Sequence, residues 1–365
     1  MKLAIMLHHG LGDVIMATET LIDVSESLYE NDEVIILVKS KVEKEYINLL
    51  NLKPQIKIIS LEYHGNKNNV IKVLLKLLNL RFKKIDIFIT PHLIYSHYSW
   101  MIPFIVNAKK SVGPPGKSKG FTYVVGGKYL DFHKIKYYHQ FFKLTGLSKI
   151  DSYNFDNVFK LDLVSNQNLP SELNKYIERD FIIVSPGSSP VEIHKRWVPE
   201  KYAKLINKIV DNYSNKRIIV LGSKPEGHLI NEIISKSKYP NNIIGEYSLS
   251  LKQTMYVMSK SSLVISACTA AIHMASLLNI PLIGLYGPTN YSITGPWSKK
   301  SRIISKGFSC SPCYRKGFYL GCGTPYCMTK ITVEEVFSVC EDIFNNKPYP
   351  LIPKIKTKNS FMFKK

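Results

Sequence analysis

The sequence predicts an α/β protein built from two doubly wound, Rossmann-like domains, and three observations predict it. Short apolar runs alternate with longer segments whose apolar residues recur at helical spacing. That alternation lapses in a polar stretch over residues 150–175, rich in Asn, Ser and Pro, and restarts near residue 181. The 365 residues also exceed the length at which a single hydrophobic core stops growing.

In the first half, residues 2–7 read as a short buried strand, HHGLGD as a Gly-rich turn and residues 14–28 as one apolar-periodic helix. Residues 33–38 form a second strand, 70–82 a helix and 85–90 a third strand. In the second half, strands at 181–184, 217–221 and 263–266 alternate with helices at 199–210 and 226–235. A further helix runs from the 268–273 block to residue 278. Strands alternating with helices imply parallel sheets covered on both faces. The expected organisation is an N-terminal domain over 1–165, a linker near 160–175 and a C-terminal domain over 176–331. A helix over 332–346 and a basic tail over 347–365 follow. Two such units leave a cleft, and ligands of open α/β sheets sit at the carboxyl ends of strands.

Composition narrows the class. A hydrophobic fraction of 45% supplies apolar surface for two cores, which argues against disorder. The 49 Lys plus Arg against 28 Asp plus Glu leave a net charge of +21, favouring acidic partners such as nucleotides, phosphates or anionic lipid. The lysines are scattered, which is equally the pattern of a solvated surface, and no nucleic-acid-binding signature accompanies them. The opening MKLAIMLHHGLGD is too short in its apolar run for a signal peptide, so a cytoplasmic protein is expected, with peripheral contact to anionic membrane through the tail lysines Lys354, Lys356, Lys358, Lys364 and Lys365. The most apolar stretch, 263–286, is broken by Ser266, His273, Asn279 and Pro281 and reads as buried core rather than a membrane span.

Three constellations carry candidate chemistry. Gly10-Leu11-Gly12-Asp13 ends the first strand. Its glycines permit a sharp turn beside a ligand, and Asp13 is either a helix cap or a general base. The three-glycine dinucleotide fingerprint is absent. Ser185-Pro186-Gly187-Ser188-Ser189, with His194, Lys195, Arg196 and Trp197 close behind, reads as a phosphate cradle or as a surface turn with helix-start packing at Trp197. Cys268-Thr269-Ala270-Ala271-Ile272-His273 opens a helix with small side chains, so its N–H groups are open to a diphosphate; His273 is a ligand group or a satisfied core histidine.

Gly12-Asp13 followed by Ala17-Thr18, then SPGSS, KRWVPE, LGSKPE, the CTAAIH block and Gly287-Pro288-Thr289, stand in the order and at the distances found in glycosyltransferase family 9. His133, thirteen residues before Gly146, matches a further landmark. The chain resembles the ADP-heptose heptosyltransferases of that family over residues 1–345. The resemblance implies the GT-B fold and inverting sugar transfer from ADP-heptose or a related nucleotide sugar to a lipopolysaccharide core, surface glycan or protein acceptor. It implies Asp13 as the base that deprotonates the acceptor hydroxyl. It implies as donor-binding residues Gly12, Ser185, Gly187, Lys195 beside the diphosphate, Glu226 on the nucleoside, and Thr269, Ala270 and His273 at the phosphate loop. No catalytic metal is implied. Where the family has Asp-Thr-Gly, this chain has Cys268-Thr269-Ala270, and a neutral thiol does not replace a carboxylate as acceptor for sugar hydroxyls.

Four of the six cysteines fall within one short segment, as Cys310-Ser-Pro-Cys313 and Cys322-Gly-Thr-Pro-Tyr-Cys327. The paired spacing points to a structural zinc or iron site, against a free-thiol or redox loop. The arrangement resembles the cysteine finger of the family branch that decorates autotransporter adhesins. Two other functions compete with transfer: sugar-nucleotide epimerisation on the same fold, and a catalytically weak relic that binds glycan.

Overall fold

The computed structural model describes residues 1–62, 67–91, 101–114, 120–125, 133–144, 146, 168–315, 318–319 and 322–348. The chain divides into two compact units. The first contains β1 (Lys2–Leu7), β2 (Glu33–Val38), β3 (Ile56–Ser60), β4 (Ile87–Ile89), β5 (Lys110–Gly113) and β6 (Tyr123–Val124). They pair in the order β3-β2-β1-β4-β5-β6, all parallel. The second contains β7 (Phe181–Ser185), β8 (Arg217–Leu221), β9 (Ile243–Glu246), β10 (Leu263–Ala267), β11 (Leu282–Tyr286) and β12 (Ser301–Ser305). Its order, β12-β11-β10-β7-β8-β9, is again parallel and has the same connectivity read from the other edge. Each unit is a six-stranded doubly wound sheet with its first and fourth strands at the centre.

Burial explains the reading. Every residue of β7, β10 and β11 is buried, as a strand covered by helices on both faces requires. The helix Pro199–Asn212 lays Tyr202, Leu205, Ile206 and Ile209 against β7 and β8, and Val333–Phe344 adds Val336, Phe337 and Cys340 to the same core. In the first unit, Ala4 and Met6 of β1 meet Ile35 and Leu37 of β2 and the inner face of helix Lys67–Arg81.

Some expectations change. The single helix expected over 14–28 is two, Leu11–Met16 and Thr18–Glu26, separated at Ala17. At this junction the Thr18 hydroxyl donates to the Ile15 carbonyl at 2.6 Å and also pairs with the Tyr46 hydroxyl. The first sheet also includes β3, β5 and β6, which have no clear alternation of their own. Residues 171–175, expected in the linker, lie in the helix Ser171–Ile177, whose Tyr176 hydroxyl donates to the Ile218 carbonyl at 3.1 Å. The rest of that linker up to residue 167, and the basic tail from residue 349, lie outside the described residues. Among the described residues no helix is long and apolar enough to cross a membrane.

Candidate functional site

The sharp turn after β1 passes through His8, His9 and Gly10 into the helix Leu11–Met16. Gly10 is its cap, with extended backbone and no side chain to bond the helix; its carbonyl accepts from the Asp13 and Val14 N–H groups at 2.9 and 3.3 Å. Gly12 is the second residue of the helix and Asp13 the third. Asp13 is therefore not the cap, which removes one of its two sequence readings. Its Oδ1 accepts hydrogen bonds from the Lys134 ammonium and, at 3.1 Å, from the Tyr138 hydroxyl. Both donors stand on the helix Lys134–Lys143, where His133 caps the first turn by accepting from Ile135 N–H at 3.3 Å. His9 Nδ1 lies 3.7 Å from Asp13 Oδ2. Burial pushes the His9 imidazole down to about 3, against the opposing pull of Asp13, so it is neutral near pH 7. The contact is thus a neutral ring beside a carboxylate, and the charge partner of Asp13 is Lys134.

Sequence spacing could not have found Lys134 or Tyr138. They lie more than a hundred residues from Asp13 and belong to a helix whose apolar face, Tyr137, Phe141 and Phe142, reads as ordinary core.

In the second unit, Ser185 ends β7 and Gly187 follows in the loop. A Cβ built on Gly187 would lie 1.8 Å from Glu226 Oε1, so only glycine allows this carboxylate to sit against the loop. Glu226 is held there by its own capping box: its Oε2 accepts from the Ser223 N–H at 2.7 Å and from the Ser223 hydroxyl at 2.6 Å. Two residues about forty positions apart thereby share one corner.

Lys195 ends the 3-10 segment Pro190–Lys195 and is buried, its ammonium 2.7 Å from Glu192 Oε1. The adjacent Arg196 braces the loop, with Nε donating to Ser188 Oγ at 2.9 Å and Nη2 to the Ser188 carbonyl at 2.7 Å. Glu192 had no place in the sequence reading, whereas Arg196 stood in the expected cradle run and here holds its loop together. Trp197 is fully buried, stacked edge-on to Tyr202 and bonded to the Ile331 carbonyl at 3.0 Å, so it is packing at the helix start.

After β10, Thr269 caps the helix Ala270–Leu277 with extended backbone, and its hydroxyl shares a hydrogen bond of 3.2 Å with Ser266. Ala270 opens that helix and His273 is buried one turn in. Cys268 is buried too, its sulfur 3.5 Å from the Thr294 hydroxyl, in a group completed by Tyr286, whose hydroxyl donates to the Thr294 carbonyl at 2.8 Å. Burial first, then Cys268, holds the Tyr286 phenol well above its ordinary range. In the loop after β11, Thr289 Oγ1 is buried with no hydrogen-bond partner among the described residues, a group that a ligand oxygen would satisfy.

The cysteine segment packs on this same loop. The Ser311 hydroxyl donates to the Gly287 carbonyl, and a Cβ on Gly287 would lie 2.8 Å from Cys327 Sγ. Cys327 is buried, Cys313 partly buried, and Cys310 and Cys322 exposed; all four are free of disulfides. Burial pushes the Cys327 thiol up to about 11, with Cys313, Cys322 and Cys310 adding to the shift. Cys313 is raised by burial and then by Cys322 and Cys310. Cys327 and Cys313 are thus each within electrostatic reach of Cys310 and Cys322. Among the described residues, no three His, Cys, Asp or Glu side chains are arranged to hold a metal ion.

The sequence model of glycosyltransferase family 9 (heptosyltransferase) matches residues 93–322, well over half of the chain. The chain belongs to glycosyltransferase family 9. This family 9 chain is similar to lipopolysaccharide heptosyltransferase 2 of Escherichia coli strain K12, 29% identical over 134 residues, which are 35% of the chain and 36% of that protein. The match thus spans about a third of the curated relative's length. Two solved structures share the fold. The family 9 glycosyltransferase of Veillonella parvula superposes with a TM-score of 0.72 at 16% identity, covering 94% of this chain and 97% of that one. The dodecameric, iron-containing heptosyltransferase TibC, solved with ADP-D-β-D-heptose, gives a TM-score of 0.57 at 12% identity, covering 94% and 76%. Two Rossmann-like units in the GT-B manner are what the family and its neighbours share with the architecture described above.

Proposed function

We propose that the protein is an inverting glycosyltransferase that moves a heptose-like sugar from ADP-heptose, or a related nucleotide sugar, to a lipopolysaccharide core, surface glycan or protein acceptor. The observation that carries this reading is the corner where Glu226 is seated against Gly187 beside a loop braced by Arg196. It supplies an acid suited to ribose hydroxyls next to small residues suited to phosphate.

Asp13 takes the proton of the acceptor hydroxyl as its oxygen attacks the anomeric carbon, and the bond to the diphosphate breaks on the opposite face. Lys134 and Tyr138 fix the carboxylate in one orientation, so no reorganisation is needed during transfer. Lys195 turns from Glu192 toward the departing phosphate and, with the N–H groups that begin the helix at Ala270, neutralises it without a catalytic metal. Thr289 adds a hydroxyl donor to the same ligand.

Cys268 faces Thr294 and Tyr286 and offers no carboxylate to a sugar hydroxyl, so the donor is either ADP-heptose used with reduced activity or a related nucleotide sugar. A screen of ADP-, GDP- and UDP-linked sugars, scored by release of free nucleoside diphosphate with and without acceptor, tests the reading. Isomerised donor in the absence of acceptor would mark an epimerase instead, and donor binding without turnover a relic.

The four cysteines, in this proposal, take up one structural zinc or iron, which would tie Cys310, Cys313, Cys322 and Cys327 together and fasten residues 305–330 to the loop at Gly287. Thiolates bind the metal, so loading releases protons and orders the segment. Elemental analysis of protein purified without chelator should give about one metal per chain; four titratable thiols and no metal would leave a bare loop.

A further inference from the structure

The helix Lys67–Arg81 has two apolar faces. Val73, Leu77 and Leu80 point into the core of the first unit. Val70, Ile71, Leu74 and Leu75 occupy a second stripe, all exposed, and Phe82, just past the last turn, extends it. Phe82 is 82% exposed and Ile71 64%, figures more typical of lysine than of core-forming residues. A contiguous apolar stripe on an otherwise polar surface marks a site of interaction.

Charge chooses the occupant. Between residues 63 and 85 the chain has Lys67, Lys72, Lys76, Arg81, Lys83 and Lys84 and not one Asp or Glu. Lys72, Arg81 and Lys84 are exposed alongside the stripe. A second copy of this face would bring two uncompensated basic runs together, whereas an anionic bilayer supplies phosphate to the cations and an acyl boundary to the apolar side chains. A 15-residue helix is too short to span and is suited to lying flat.

We infer that the outer stripe of helix Lys67–Arg81, with Phe82, seats the first unit on an anionic lipid surface. Ile71, Leu75 and Phe82 enter the headgroup layer, and Lys72, Arg81 and Lys84 pair with lipid phosphates. The inference sharpens the expectation of tail-driven adhesion by giving the contact an apolar component, and it is independent of sugar transfer.

The test is flotation of the full-length protein with vesicles of phosphatidylcholine alone, or of phosphatidylcholine mixed with phosphatidylglycerol, at low and high salt, without donor or acceptor. The comparison protein carries Ile71→Gln, Leu75→Gln and Phe82→Gln, which keep every charge and alter only exposed side chains; an unchanged melting curve verifies its fold. The wild type should float with the anionic vesicles and partly resist salt, and the triple variant should bind at least about tenfold more weakly. Equal flotation of the two would overturn the role of this face while leaving tail adhesion standing. No flotation of the wild type overturns both. A wild-type oligomer that the triple variant dissolves, without vesicle binding, assigns the stripe to a second copy and overturns the inference as well.

Discussion

The two units have the same strand order but handle their first crossover in opposite ways. After β1 the chain enters its helix at once, and the third helical residue is an acid, Asp13, bound by an ammonium from a distant helix. After β7 it spends a loop and a 3-10 segment before the helix at Pro199, and that detour delivers cations, Lys195 and Arg196, with a glycine against a carboxylate. In the proposed reaction one topological position thus serves two chemistries, the short turn presenting a proton acceptor and the long one a cradle for negative charge.

The difference can be broken from either side. Asp13→Asn keeps size and the bond to Tyr138 but cannot take a proton, so turnover should fall by about 100-fold or more with donor affinity little changed. Near-normal turnover in a steady-state assay would move the base elsewhere. Lys195→Ala acts on the other unit and should weaken ADP binding and turnover together, costing about 2–4 kcal/mol of transition-state binding. Calorimetric ADP affinity and rate that both stay put would place the phosphate site away from this loop.

Acid pH sharpens the contrast, because His9 lies only in the first unit's turn. Its folded-state value of about 3 is below the ordinary 6.5, so the unfolded chain binds the extra proton between those values. Its contribution is at full strength above about pH 6.5 and is lost as pH falls toward 3, at about 1.4 kcal/mol per pH unit as an upper bound. Denaturant melts of His9→Gln from pH 7 to 4 should show a shallower fall than the wild type; parallel curves would mean the ring is not kept neutral by burial. The smallest effect is expected from Gly187→Ala. The new methyl must displace the Glu226 carboxylate and strain its capping box, for a loss of about 1 kcal/mol in stability with weaker nucleotide binding. Unchanged ADP affinity would separate Glu226 from the donor.

Much of this architecture was legible because parallel strands buried on both faces must be continuously apolar. β2 and β8 have the bounds that pattern predicts. The edge strand β12 was not legible, since its alternate residues meet solvent and SRIIS has no apolar run. The break at Ala17 was hidden as well, because it depends on where the Thr18 hydroxyl finds Ile15 and Tyr46.

By itself the sequence determined the fold class, the family and the residue types at each strand end, because hydrophobic period and ordered motifs are local properties written along the chain. Only the tertiary structure decided what those residues touch. Lys134 reaches Asp13 across 121 positions, Glu226 meets Gly187 because that residue has no side chain, Lys195 pairs with Glu192, and Cys268 turns to Thr294. Charge pairing and close approach depend on distances in space, and parallel crossovers bring together side chains that no window along the chain contains.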